Sequence, residues 1–236
     1  MSQERRYQIS CPKCGSELDV SLFDSINVEQ DSSLRDALME NQLNSLTCES
    51  CEFSFRVDKP LLYCDPAHKL FIYWFPSEKS LHGADAESFQ ETVAKMSGMI
   101  PDGADMPEIH LVFTRTELVE RIFLREAGLD ARVVEYIKYL IFTKNLDQVD
   151  PREKSLLFNA EDSTDESLVF VVQDAASKKL ESVVEYSRSA YQAFCEMFDQ
   201  DDQTAILLEM FPGPHISAHA LLLRESEVAD HEGLMP

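Results

Sequence analysis

The chain reads as an α+β protein: a β-rich module that carries paired cysteines, an inserted helix and a helical pair, followed by a ββαββ segment. Three observations predict this. Short runs with period-2 alternation dominate up to about residue 76 and return after about residue 154. Apolar stripes with helical spacing lie between them. Turn residues (Gly, Pro, Asn, Asp) separate the runs at short intervals.

The elements follow in order. "YQIS", residues 7–10, is β-prone and leads into the first cysteine pair. "LDVSLFDSINV", Leu18–Val28, partly alternates and predicts one or two strands. "DSSLRDALMENQLNSL" then changes period: Leu34, Ala37, Leu38 and Leu46 share a face, with Ser32 or Ser33 as N-cap of a helix over about 33–46. Phe53, Phe55 and Val57 alternate as a strand. "LLYCDPAHKLFIYWF" predicts a hairpin, since Pro66 fixes φ at the second turn position and Asp65 can bond back to the backbone.

Residues 77–107 hold Gly83, Gly98, Gly103, Pro101 and Pro107, and predict a loop with one helix near Ala86–Met96. "EIHLVF" is a strand. Thr114 and Glu117 match a capping box that opens a helix, which Gly128 closes at C′. Val133, Val134, Ile137, Leu140 and Ile141 form the stripe of a second helix. The polar stretch Asp147–Glu153 marks a boundary, giving a first domain over 1–147 and a second over 148–236. In the second, "KSLLFNA" and "SLVFVVQ" predict strands. Leu180, Val183, Val184, Ser187, Tyr191, Phe194, Cys195 and Phe198 predict a helix over about Ala175–Phe198. "QTAILLEMF" and "HISAHALLL" predict a further strand pair, turned by Pro212-Gly213-Pro214, and the acidic tail after Arg224 is expected to fray.

The bulk composition narrows the function. Lys+Arg is 21 against 43 Asp+Glu, a net charge of −22. Such a surface repels phosphate backbones and anionic membranes and favours a basic or neutral protein partner. No apolar stretch follows Arg5 and Arg6, so no signal peptide is expected, and the apolar run Leu70–Phe75 is far short of a membrane span. The expected compartment is the cytoplasm, where thiols stay reduced and clustered cysteines point to metal or redox chemistry.

Of six cysteines, four form two pairs, Cys11-x2-Cys14 and Cys48-x2-Cys51, with 33 residues between the pairs. Two thiolates on one tight turn can reach one ion, and two such turns complete a tetrahedron. Gly15 follows the first pair and suits a turn without Cβ strain, whereas Glu52 occupies the equivalent place in the second. The gap exceeds the roughly 15–20 residues of the common four-cysteine pattern, and the inserted helix accounts for it. A thioredoxin-like dithiol would need a strand–helix frame for which Cys11 lies too near the N-terminus. The expectation is one structural Zn2+ per chain on Cys11, Cys14, Cys48 and Cys51. Four thiolates leave no open coordination position for chemistry.

These residues also carry a resemblance. "CPKCG", the second CxxC after an inserted helix, "PLLYCDPAHKL" and "REAGLDARVVEYIK" together resemble the CpXC domain family over about residues 7 to 142. That family's paired Cys-Pro-x-Cys motifs map to Cys11, Cys14, Cys48 and Cys51. This chain departs at Glu49 and Glu52, where the family motif suggests Pro and Gly. The resemblance implies a prokaryotic, zinc-ribbon-like module and no activity.

The remaining candidates read as structural. Cys64 and Cys195 read as core thiols. His215 and His219 have i, i+4 spacing but fall on a predicted strand and read as exposed or hydrogen-bonded. Asp199, Asp201 and Asp202 begin like a Ca2+ loop, but Met210 stands where its closing Glu belongs, so they read as a solvated acidic turn. Arg5, Arg6 and Lys13 form a basic spot diluted by Glu4, Glu17, Asp19 and Asp24, so nucleic-acid binding is not expected. The leading reading is a non-enzymatic zinc-binding protein whose partner is another protein, with no membrane or nucleic-acid role and no oligomeric state specified. The aromatic hairpin, Tyr63 and Phe71 to Phe75, is its expected contact surface, or else core. A redox-responsive zinc switch is the alternative, and an enzyme with a cleft between the domains is the third reading.

Overall fold

The computed structural model describes residues 2–76 and 107–232, so the helix expected near Ala86–Met96 lies outside the described residues. The chain packs as two units, Met1–Val119 and Glu120–Pro236.

The first unit is built on a mixed sheet in the order β1-β2-β5-β6-β7. Strand β1 (Gln3–Ser10) runs antiparallel to β2 (Glu17–Asn27), a single long strand over the region read as one or two. Helix α1 (Ser32–Met39) follows, capped by Asp31, whose carboxylate accepts from Ser33 N–H. It is shorter than expected, and Leu46 belongs instead to β3 (Ser45–Thr47), which pairs with β4 (Ser54–Arg56). The predicted hairpin is β5 (Leu61–Asp65) and β6 (Leu70–Trp74), antiparallel about the Asp65 turn. Strand β7 (Glu108–Val112) lies parallel to β6.

Position in the sheet decides the fate of the aromatic hairpin. Both β5 and β6 have a neighbour on each side, and Leu61, Tyr63, Leu70, Ile72, Tyr73 and Trp74 are buried. The expected contact surface is therefore core, because side chains on interior strands pack on both faces of the sheet.

Helix α2 (Arg115–Glu126) opens with the expected capping box: Thr114 Oγ1 accepts from Glu117 N–H at 3.1 Å, and the Glu117 carboxylate accepts from Thr114 N–H at 3.1 Å. Gly128 closes it at φ +66. Helix α3 (Ala131–Lys144) is capped by Asp130, which accepts from Arg132 N–H at 2.8 Å and Val133 N–H at 3.0 Å. The expected divide at 147/148 differs from the packing. The buried stripe Val133, Val134, Ile137, Ile141 belongs to one core with Leu156, Phe158, Leu168 and Phe170, so α3 packs with the C-terminal strands.

The C-terminal segment is βββααα, not ββαββ. Strands β8 (Lys154–Asn159) and β9 (Ser167–Asp174) are where expected, but the anticipated long helix is strand β10 (Leu180–Ser187) followed by helix α4 (Arg188–Phe198). The adjacent pair Val183-Val184 satisfies either period, and β-branched residues opposite β9 settle it as a strand. Asp174 turns the hairpin by accepting from Ser177 N–H at 2.7 Å, and Lys178 takes φ +59.

The expected final strand pair is helical: α5 (Asp201–Met210) and α6 (Ala218–Glu232). A short apolar run does not by itself distinguish strand from helix. Asp201 and Asp202, read as a solvated turn, sit in the first turn of α5 and complement its dipole there. The tail expected to fray continues as α6 to Glu232.

Fully buried ionic side chains tie the second unit together. Lys138 donates to Glu120 at 2.7 Å and Glu135 at 3.0 Å, and Arg121 donates to Glu135 at 3.0 Å. The same carboxylates accept from backbone: Glu120 from Phe158 N–H at 2.6 Å, and Glu135 from Ala218 N–H at 2.8 Å. Charges this deep are tolerated because each has an opposite charge and further hydrogen bonds.

Candidate metal centre

Each cysteine pair is the turn of a short hairpin. Cys11 and Cys14 lie between β1 and β2, and Cys48 and Cys51 between β3 and β4. The two turns are built alike. Cys11 N–H donates to Ser16 C=O at 2.9 Å, and Gly15 N–H returns to Cys11 C=O at 2.9 Å. In the second, Cys48 N–H donates to Phe53 C=O at 2.9 Å, and Glu52 N–H returns to Cys48 C=O at 2.8 Å. Gly15 and Glu52 both sit at positive φ, +73 and +56, so Glu52 adopts the glycine-type backbone with its Cβ in place.

A residue that sequence reading missed brings the two turns together. The Asn44 amide docks on the backbone of β2: its Oδ1 accepts from Phe23 N–H at 2.8 Å and its Nδ2 donates to Phe23 C=O at 3.2 Å. Asn44 itself is at φ +58, and its own C=O accepts from Val57 N–H at 3.0 Å. Asn tolerates this left-handed conformation better than most residues, and that tolerance is its only sequence-level signal. The clip joins the strand leaving the first knuckle to the hairpin carrying the second.

The four sulfur atoms converge. All four Sγ atoms lie within 4.8 Å of one another, with Cys11–Cys51 and Cys14–Cys48 each at 3.7 Å. Cys11 and Cys48 are buried, Cys51 is half-buried and Cys14 is exposed. Every cysteine predicted as a ligand is in this cluster, and the arrangement is positioned to hold one metal ion.

The thiols do not share one electrostatic setting. The Ser16 hydroxyl, 3.3 Å from Cys14 Sγ, and the Ser16 backbone favour the ionised sulfur and hold the Cys14 thiol down to about 6. At Cys51 the Phe53 N–H favours the thiolate, but desolvation and the three neighbouring thiols outweigh it and push the group to about 12. Without a cation the cluster resists four simultaneous negative charges, and a bound cation removes that conflict.

The other candidates stay apart. Cys64 lies on β5, where burial pushes its thiol up to about 11, and burial likewise raises Cys195 on α4. His219 is on α6 and not on a strand, with Nε2 2.6 Å from Pro151 C=O, a hydrogen-bonded role. In the basic spot, Arg5 pairs with Asp24 at 3.0 Å, and Lys13 Nζ lies 5.5 Å from the Phe53 ring centroid. No helix among the described residues is long and apolar enough to cross a membrane.

Fold and site together define a mixed α+β protein with a four-cysteine centre of the kind that holds a metal ion. The model of one family, described as CpXC protein, matches residues 9–138, and the chain belongs to that family. The match takes in both knuckles and continues through α2 into α3. No curated protein and no solved structure matches the chain.

Proposed function

We propose that the chain is a non-enzymatic, zinc-stabilised protein whose role is interaction with another protein. The observation that carries the zinc assignment is the sulfur spacing. A tetrahedral ion with metal–sulfur bonds of about 2.3 Å needs sulfur atoms about 3.8 Å apart. The two cross-knuckle pairs stand at 3.7 Å. Four thiolates of one soft type favour Zn2+ over oxygen-seeking cations. They also fill its coordination shell, so the ion fixes β1–β2 against β3–β4 and contributes folding energy. The net charge of −22 supports a basic or neutral protein partner over nucleic acid or an anionic membrane. The test is chelation. Stripping the metal should lower the thermal midpoint and expose the amides of β3 and β4 to hydrogen exchange, with recovery on adding Zn2+. Unchanged protection after complete stripping would count against a structural ion.

A second reading, a redox-responsive zinc switch, is favoured by the exposure of Cys14, which gives oxidants access to one ligand. Zinc release at mild peroxide, reversed by reductant, would support it, and retention of zinc would remove it.

A further inference from the structure

The four sulfur atoms are not equally accessible, and the inequality runs across the two turns. Each turn pairs a buried first cysteine, Cys11 or Cys48, with a second that is less buried: Cys14 is exposed and Cys51 half-buried. The 3.7 Å contacts join the second cysteine of one turn to the first of the other, Cys14 to Cys48 and Cys51 to Cys11. An accessible sulfur therefore lies against a buried one on the opposite hairpin. The bonds that set this arrangement contain no sulfur. Each turn is closed by two backbone hydrogen bonds on its first cysteine, and Asn44 holds the hairpin of β3 and β4 to β2. A disulfide formed in place inherits that geometry.

We propose that the cluster is a peroxide modification site whose oxidation joins the two turns, Cys14 to Cys48 and then Cys51 to Cys11, so that two disulfides take over the cross-link between the hairpins. This deepens the redox reading above and rests on it. Cys14 is oxidised first, because it is the exposed sulfur. Its thiol reacts with peroxide: an S–O bond forms, the O–O bond breaks, and a sulfenic acid and one water result. The Cys48 sulfur then attacks the Cys14 sulfur. The S–S bond forms, the S–O bond breaks, and the hydroxyl leaves with the Cys48 proton as a second water. Two thiols and one peroxide thus give one disulfide and two waters, and a second peroxide does the same for Cys51 and Cys11. The competing pairing is within each turn, and sequence distance favours it. Partners within a turn are 3 residues apart, whereas those across are 34 and 40 apart. In an unfolded chain the shorter loop closes more readily. In the folded chain position decides, since the sulfur atoms across the turns need only close from 3.7 Å to about 2.05 Å. The two pairings differ in consequence. Bridges within the turns leave the hairpins unlinked, whereas bridges across them close the longer loops and so restrict the unfolded chain more.

The test treats the zinc-loaded full chain with mild hydrogen peroxide, follows released zinc with a chromophoric chelator, and maps disulfides by mass spectrometry. Cleavage after Lys13 separates Cys11 from Cys14, and cleavage after Glu49 separates Cys48 from Cys51, so each pairing gives its own linked peptide. The expected result is loss of the four clustered thiols, with Cys14–Cys48 appearing before Cys11–Cys51 and with Cys64 and Cys195 still free. Hydrogen exchange in β3 and β4 should stay slow in the oxidised, zinc-free protein, whereas chelation without oxidation speeds it. Chain unfolded in urea with chelator and then oxidised should give Cys11–Cys14 and Cys48–Cys51 instead. Zinc release with disulfides inside the turns of the folded chain, or with β3 and β4 as open as after chelation, would overturn the proposal and leave the redox reading standing. Cross-turn pairs from the unfolded chain would also overturn it, since the fold would not then select them. Zinc retained with all four thiols intact would remove the redox reading and this inference together.

Discussion

Gly15 and Glu52 hold the same place in two turns with the same pair of backbone hydrogen bonds, each four residues after a first cysteine, at φ +73 and +56. The backbone demand is the same, and only one of the two residues meets it without strain. A non-glycine residue in the left-handed region costs on the order of 1 kcal/mol, more if β-branched. Glu52→Gly is therefore expected to leave the metal-loaded protein as stable or up to about 1 kcal/mol more stable, and Gly15→Val to cost about 1–2 kcal/mol. Urea midpoints of the two variants, compared at fixed metal loading, check this.

Asn44 positions the second knuckle without supplying one of the four sulfur atoms. Asn44→Ala leaves Phe23 N–H and C=O without their partner, a loss of about 1–3 kcal/mol. Metal binding is coupled to folding of the centre, so affinity should fall roughly tenfold or more. Competition with a chromophoric chelator measures it. Asn44→Gly should lose nearly as much, because it keeps φ but not the amide bonds.

Tyr73 is on interior strand β6 and buried, so Tyr73→Asp should unfold the first unit and not merely disrupt a contact. An unpaired carboxylate there costs about 3 kcal/mol or more. The expected readout is loss of the near-ultraviolet circular dichroism of the aromatic strands. A native spectrum would place the aromatics outside the core.

Burial opposes the Glu135 carboxylate, but the Lys138 and Arg121 charges outweigh it and hold the carboxyl below its ordinary 4.5. A depressed carboxyl stabilises the fold above its unfolded value, and that contribution is lost as pH falls through the folded value. Lys138 is the converse: burial disfavours its charge, Glu120 and Glu135 outweigh that, and its raised value gives stability lost only as pH rises beyond its ordinary 10.5. Lys138→Met is expected to cost about 3–5 kcal/mol at neutral pH, because it takes the Lys138 ammonium from buried Glu120 and leaves buried Glu135 with Arg121. It should also move the acid-side loss of stability to higher pH, since Glu135 then lacks its largest favourable charge. Urea titrations between about pH 3 and pH 7 test the sign.

The convergence of the four cysteines was legible in the sequence because its geometry is local. Two CxxC spacings fix two turns, and the Gly15–Glu52 equivalence follows from counting. The clip by Asn44 was not legible, since it depends on which strand the second hairpin meets. In the first unit the elements were read closely, because Asp65-Pro66 and the Thr114–Glu117 box are chemical signals with defined geometry. The surface role of the aromatic hairpin was misread, because strand order decides burial and periodicity does not reveal strand order. In the second unit, Val183-Val184 fits both periods, and "TAILLEM" carries no alternation, so pairing with β9 and packing against α3 decided what propensity left open.

A closed, structural zinc site on Cys11, Cys14, Cys48 and Cys51 predicts both a metal content and a pattern of thiol protection. Elemental analysis of protein purified without added metal, paired with titration of accessible thiols, tests it most directly. The expected result is one Zn per chain with these four thiols protected until a chelator is added. Folded, metal-free protein with all four thiols free would contradict it.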